Sequence, residues 1–227
     1  MPAILDYIDF SINPPVPIVF VDTLLAPRAF RDPKTGTTGF PTFGCSALIP
    51  PDHPQLQAIK DTLMKAAMLA FPDRKDPNTG QWTHVGLKFP LSQGDKDYSK
   101  GKWVLRMGKA EKSQKGALNT PPRLWTIQNG KYVPFDGPSR DAAKSVLWDG
   151  VFAMLSVQFK AYAGMGGGVT CIPNDIVSMS KGDRLQVRRD PADTFGSAAD
   201  MQQYMGSGLI FGLKLTRVLP FLPHFRS

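Results

Sequence analysis

Glutamate occurs once in this 227-residue chain, at Glu111, cysteine twice and histidine three times. No stretch reaches the 18 or so consecutive apolar residues that a membrane-spanning helix needs. Each scarcity excludes something. Cys45 and Cys171 are 126 positions apart in apolar surroundings, and His53, His84 and His224 are scattered, so neither a disulfide framework nor a zinc site is supported. There is no Gly-x-Ser-x-Gly elbow, no His-Glu-x-x-His pair and no Gly-Lys-Ser/Thr phosphate loop. The remaining acids that could hold Mg²⁺ for a nuclease, Asp95 with Asp97 and Asp190 with Asp193, lie in turn-rich sequence. A catalytic role is therefore not expected, and no cofactor or metal is implied. The opening Met1-Pro2-Ala3-Ile4-Leu5-Asp6 has no cationic stretch ahead of an apolar run, so it does not read as a secretory signal, and a reduced, cytoplasmic setting is expected.

What the chain does have is turns and a localised positive charge. Gly and Pro number 21 each, above the average share but short of a disordered composition, which favours a β-rich globular unit with many turns. The net charge of +8 is unevenly spread. Residues 81–133 hold ten bases against three acids, +7, while residues 1–80 balance to −1 and residues 134–227 to +2. A charge concentrated in one quarter of the chain is the electrostatic footprint expected of a polyanion-binding surface.

Periodicity places the elements. A strand is expected over 16–21 and another over 40–49, the latter with Phe43, Cys45, Ala47 and Ile49 on one face. A helix is expected over 53–71, with Asp52 and Gln55 as a capping box and Leu56, Ile59, Leu63, Ala66, Ala67 and Ala70 as its apolar stripe. Residues 72–101 read as a long loop with a short strand near 85–89. In residues 102–109, Trp103, Leu105 and Met107 share one face, and Lys102, Val104 and Arg106 share a solvent-directed one. Asn129-Gly130 between two apolar-alternating runs predicts a hairpin. The segment 147–163 alternates Val151, Ala153, Leu155, Val157, Phe159 and Ala161 against Ser156, Gln158, Lys160 and Tyr162, and a glycine cluster at 164–168 leads to a returning strand over 169–179. That cluster reads as a hairpin loop or as a backbone nest for phosphate. Lys181-Gly182-Asp183 is a turn, residues 183–206 look irregular or partly helical, and 209–219 is strand-like.

Bases and aromatics interleave from Tyr98 to Tyr132, the pattern that holds single strands by phosphate contacts and base stacking. No basic recognition helix is visible, which disfavours a duplex reader. Lys102, Arg106, Lys160 and Tyr162 are expected to line a groove. Lys109, Lys112, Lys115 and Arg123 are expected to contact phosphates from loops, and Tyr98 and Trp125 to stack on bases.

From about Ile18 to Phe195 the chain resembles the bacteriophage single-stranded-DNA-binding proteins with an OB-fold. The likeness rests on the order of short motifs: Ala26-Pro-Arg-Ala-Phe30, Phe43-Gly-Cys-Ser-Ala-Leu-Ile-Pro50 before a helix, Trp148-Asp-Gly-Val151, Lys160-Ala-Tyr162, Gly168-Val169, Ile176-Val177 and Lys181-Gly-Asp-Arg-Leu185. It implies a mainly β fold with minor α content: a five-stranded Greek-key barrel with a covering helix and long loop extensions. The whole chain, 1–227, is then one OB-fold-like domain, with a core at about 16–182 and a C-terminal extension at 183–227. The implied function is non-catalytic coating of single-stranded DNA without sequence preference, in the host cytoplasm, during replication, recombination or repair. Duplex DNA would bind more weakly, and phage replication or recombination proteins and further copies of the chain are the partners implied. Such proteins commonly carry an acidic tail, whereas no acid follows Asp200 here, so docking through such a tail is not expected. The rival reading is a β-rich phage structural or assembly protein that binds nucleic acid incidentally.

Overall fold

The computed structural model describes residues 7–29, 38–113 and 115–185. They lie in the first of two units, Met1–Val187; the second, Arg188–Ser227, falls outside them. So do the strand expected over 209–219 and the irregular segment beyond 185.

Eight strands form one sheet in the order β3-β4-β2-β1-β7-β8-β5-β6. They are β1 (Ile8–Val19), β2 (Thr42–Ile49), β3 (Leu91–Gln93), β4 (Trp103–Ala110), β5 (Arg123–Gln128), β6 (Lys131–Pro134), β7 (Phe152–Tyr162) and β8 (Gly168–Ser178). A one-turn helix α1 (Asp22–Leu25), the helix α2 (Leu56–Ala70) and a 3-10 segment (Gly137–Ser145) complete the frame. β1 serves both sides of the sheet: from Ile8 to Pro17 it pairs with β7, with an irregularity in register between Ile12 and Val16, and its last residues, Ile18 and Val19, pair with β2. β4 then comes up against β8, so the order β4-β2-β1-β7-β8 curls round on itself. This is an OB-type barrel, mainly β with few helices.

Period-2 alternation fills the barrel. Ile12, Val16, Ile18, Cys45, Ala47, Ile49, Leu105, Met107, Leu155, Val157, Phe159, Cys171 and Ile176 are buried in one cluster, and α2 covers it with Leu56, Ile59, Leu63, Ala66 and Ala67. Both cysteines are free and buried, and burial pushes their thiols well above the ordinary range.

Several expectations need correction. β1 starts at Ile8, eight residues before the expected strand, because Pro14 and Pro15 fall in the bent stretch where ladder pairing is interrupted. β2 is buried on both faces from Phe43 onward: on the outer side Thr23 at α1 donates its hydroxyl to the Gly44 carbonyl, and Leu48 packs with Val19 and Val104. α2 starts at Leu56, and Asp52 does not cap it. His53 Nδ1 instead accepts from the Gln55 N–H at 3.2 Å, while His53 Nε2 donates to the Pro14 carbonyl at 3.1 Å. The Gln55 side chain accepts from the Asn13 N–H and donates to the Ser11 carbonyl, so this corner fastens the helix to β1. The short strand expected near 85–89 is β3 at Leu91–Gln93, and Lys88 makes only a single bridge to Gly168. Val104 is not solvent-directed: with Val19 and Leu48 it forms a small second cluster on the outer face, under Tyr98 and Leu185.

The hairpin forms as the sequence predicts, with Asn129 at φ 50° and Gly130 at φ 73°. The Trp148-Asp149-Gly150 motif is a staple. Asp149 Oδ1 accepts from the Val21 N–H at 3.0 Å, Trp148 Nε1 donates to the Gly182 carbonyl, and the Leu185 N–H donates to the Asp149 carbonyl. Gly150, at φ 99°, has no room for a side chain, because a Cβ would run into the Asp183 carbonyl.

Candidate nucleic-acid interface

The end of β4 and the facing ends of β7 and β8 bound two adjoining hollows. The larger, about 700 Å³, is lined by Gly108, Lys109, Ala110, Lys112, Ser113, Lys115, Asn119, Gln158, Lys160, Thr170 and Ile172. The smaller, about 320 Å³, is lined by Lys88, Phe89, Pro90, Arg106, Met107, Gly108, Tyr162, Val169 and Thr170. Gly108 and Thr170 belong to both, so the two make one continuous groove. Register explains the convergence. Lys160 pairs with Thr170 and Tyr162 with Gly168, which sets the outward residues of β7 beside those of β8, while β4 approaches β8 from the opposite side.

Six cations line this groove, Lys88, Arg106, Lys109, Lys112, Lys115 and Lys160, and among the described residues no acid does. None of the six forms an ion pair with a carboxylate among the described residues. Arg106 is exposed and its guanidinium donates to Ser92 Oγ at 2.8 Å. Lys109 is half-buried, and that desolvation lowers its ammonium below the ordinary 10.5. Such a lining is complementary in charge to a polyanion, and Tyr162 and Phe89 give it aromatic surface.

Of the ten residues expected at the interface, the groove brings together Arg106, Lys109, Lys112, Lys115, Lys160 and Tyr162. Lys102 lies just before β4 begins, roughly 20 Å along the strand from Gly108 at ~3.3 Å per residue. Tyr98 packs over Val19, Leu48 and Val104, edge-on to Phe20 at 6.0 Å, and burial raises its hydroxyl with Asp95 adding to the effect. Arg123 and Trp125 sit on the same sheet face as Lys160 but further along it, since Arg123 pairs with Asp175, and Asp175 with Ser156. Asp175 binds both, through the Arg123 guanidinium at 2.7 Å and the Trp125 Nε1–H at 2.8 Å. The charge of Arg123 is thus matched internally.

Sequence reading missed Lys88 and Phe89. Lys88 reaches the groove because its backbone pairs with the glycine cluster: its N–H donates to the Gly167 carbonyl and its carbonyl accepts from the Val169 N–H. A Cβ at Gly168 would collide with the Lys88 carbonyl. The signal was the row of glycines itself, which marks a close backbone approach. The cluster is a hairpin loop with the Gly167 and Val169 donors already used, which leaves little of a phosphate nest.

Solved structures with a similar course are known. The single-stranded DNA-binding protein from bacteriophage Enc34 superposes with a TM-score of 0.53 at 15% identity, over 83% of this chain and 88% of that one. The same protein in complex with ssDNA gives 0.52 at 16% identity, over 81% and 90%. The chain has the fold of a phage single-stranded-DNA-binding protein. Bacteriophage T7 gp2.5, also a single-stranded DNA binding protein, is a weaker match at TM-score 0.46 and 14% identity and adds nothing to that statement. No protein-family model matches the sequence, and no curated protein matches it significantly. The likeness in fold agrees with the resemblance drawn from the ordered motifs, several of which are the staple around Gly150 and the pairing of β7 with β8.

Proposed function

We propose that the chain is a non-catalytic single-stranded-DNA-binding protein of a phage, coating strands without sequence preference during replication, recombination or repair in the host cytoplasm. The observation that carries this reading is the groove lined by six cations, with no acid in its lining and no ion pair to them among the described residues, and with Tyr162 on its wall. Phosphates follow the cations, and bases, free in a single strand, reach aromatic faces that a stacked duplex withholds. Duplex DNA then binds through its backbone alone and more weakly. The barrel core at about 16–182 is the binding module in this reading. Arg123 and Trp125 extend the path along β5, and Lys102 and Tyr98 meet the strand only if it crosses the outer face of β4. Self-association and docking of replication or recombination proteins are parts of the same proposal.

The test is fluorescence anisotropy with a labelled oligo-dT of about 30 nucleotides and a matched duplex, at low and moderate salt. Single-strand preference with steep salt dependence is expected. Equal or negligible affinity for both would overturn the reading in favour of a β-rich structural protein.

A further inference from the structure

Phe40 is 85% exposed, the most exposed large hydrophobic side chain among the described residues. It stands just before β2, where Thr42 pairs with Ala110 and the Glu111 N–H donates to the Pro41 carbonyl at 2.8 Å. Continuing that register sets Phe40 opposite Lys112, on the face of β4 that carries Arg106, Gly108 and Ala110. Lys112 also bridges to Leu118, which is 73% exposed. Gly108, Ala110 and Lys112 all line the groove, so the continued register places Phe40 beside its end.

We infer that Phe40 is a base-stacking residue that continues the single-strand path beyond the groove, with Leu118 as an apolar neighbour; this rests on the single-strand reading above. The surroundings select the occupant. Lys109, Lys112 and Lys115 draw phosphates to the same end of β4, and an extended strand whose phosphates lie on these cations has bases free to cover an apolar ring. A second copy of the chain docked there about a twofold axis would bring the same lysines against each other. The sequence pattern marks Phe40 only as the start of the strand expected over 40–49, whereas β2 begins at Thr42 and leaves the ring outside it.

The experiment uses the full chain and variants F40A, F40Y and K112A/K160A with labelled oligo-dT, either intact or with one abasic position moved along it. F40A should weaken binding by about tenfold, within the range of one base stack, with F40Y close to wild type. One abasic position should weaken wild type by a similar factor and F40A by less than about twofold. Binding by F40A within twofold of wild type, or equal abasic losses in both proteins, overturns the assignment. A drop in sedimentation mass for F40A with unchanged DNA affinity also overturns it and assigns the ring to a contact between copies. If K112A/K160A binds as tightly as wild type, the groove reading itself fails. If that variant is weakened and F40A is not, only the stacking role of Phe40 fails.

Discussion

Removing the charges of Lys112 and Lys160 tests the groove most directly, because they reach it from the segment after β4 and from β7, which begins about 40 residues further along the chain. If each of the six groove cations neutralises one phosphate, log affinity for a single strand falls with log salt at a slope of about −4. Between about 50 and 200 mM salt that slope corresponds to a loss of roughly 300-fold. In K112Q/K160Q the slope should shrink to about −3 and the loss to roughly 50-fold. Both side chains are exposed and unpaired, so urea unfolding of the variant should match wild type. R123Q is the internal comparison: its guanidinium already lies 2.7 Å from Asp175, and its removal should change the slope by less than one phosphate contact, about 0.7. Anisotropy titrations across the salt range measure all three. An unchanged slope in K112Q/K160Q, or a larger change in R123Q, would refute the assignment of phosphates to the groove.

D175N leaves Arg123 without its partner, so the slope should steepen by up to about 0.7, and an unchanged or shallower slope would mean that the strand does not reach β5. Half-burial lowers Lys109 below the ordinary 10.5, so affinity should hold at neutral pH and fall as the pH rises toward that value, with K109R delaying the fall. Coincident pH profiles for the two proteins would remove Lys109 from the phosphate path. G150A should destabilise the fold by about 3 kcal/mol or more, because a positive φ and a clash with the Asp183 carbonyl act together; G101A, at φ 76° in open space, should cost about 1 kcal/mol, and equal urea midpoints for the two would contradict the staple.

Alternation along the chain identified β4 and β7 with the inward side of each, the returning strand β8 and the Asn129-Gly130 hairpin, because period-2 burial is written locally in which residues are apolar. The stripe of α2 was legible for the same reason, and its start was not, since His53 and Gln55 answer to β1 some 40 residues earlier and not to their own turn. The concentration of charge in residues 81–133 foretold a basic surface without saying which bases share it. That was decided by register and closure. β4 meeting β8 collects Arg106, Lys109 and Lys112 with Lys160 and Tyr162, and the glycine loop draws in Lys88. The same long-range pairing sets Asp175 against Arg123 and Trp125, and buries Val104 under Tyr98. A residue's own neighbours determine whether it faces in or out; which distant residues stand beside it depends on strand pairing, and only the folded barrel fixes that.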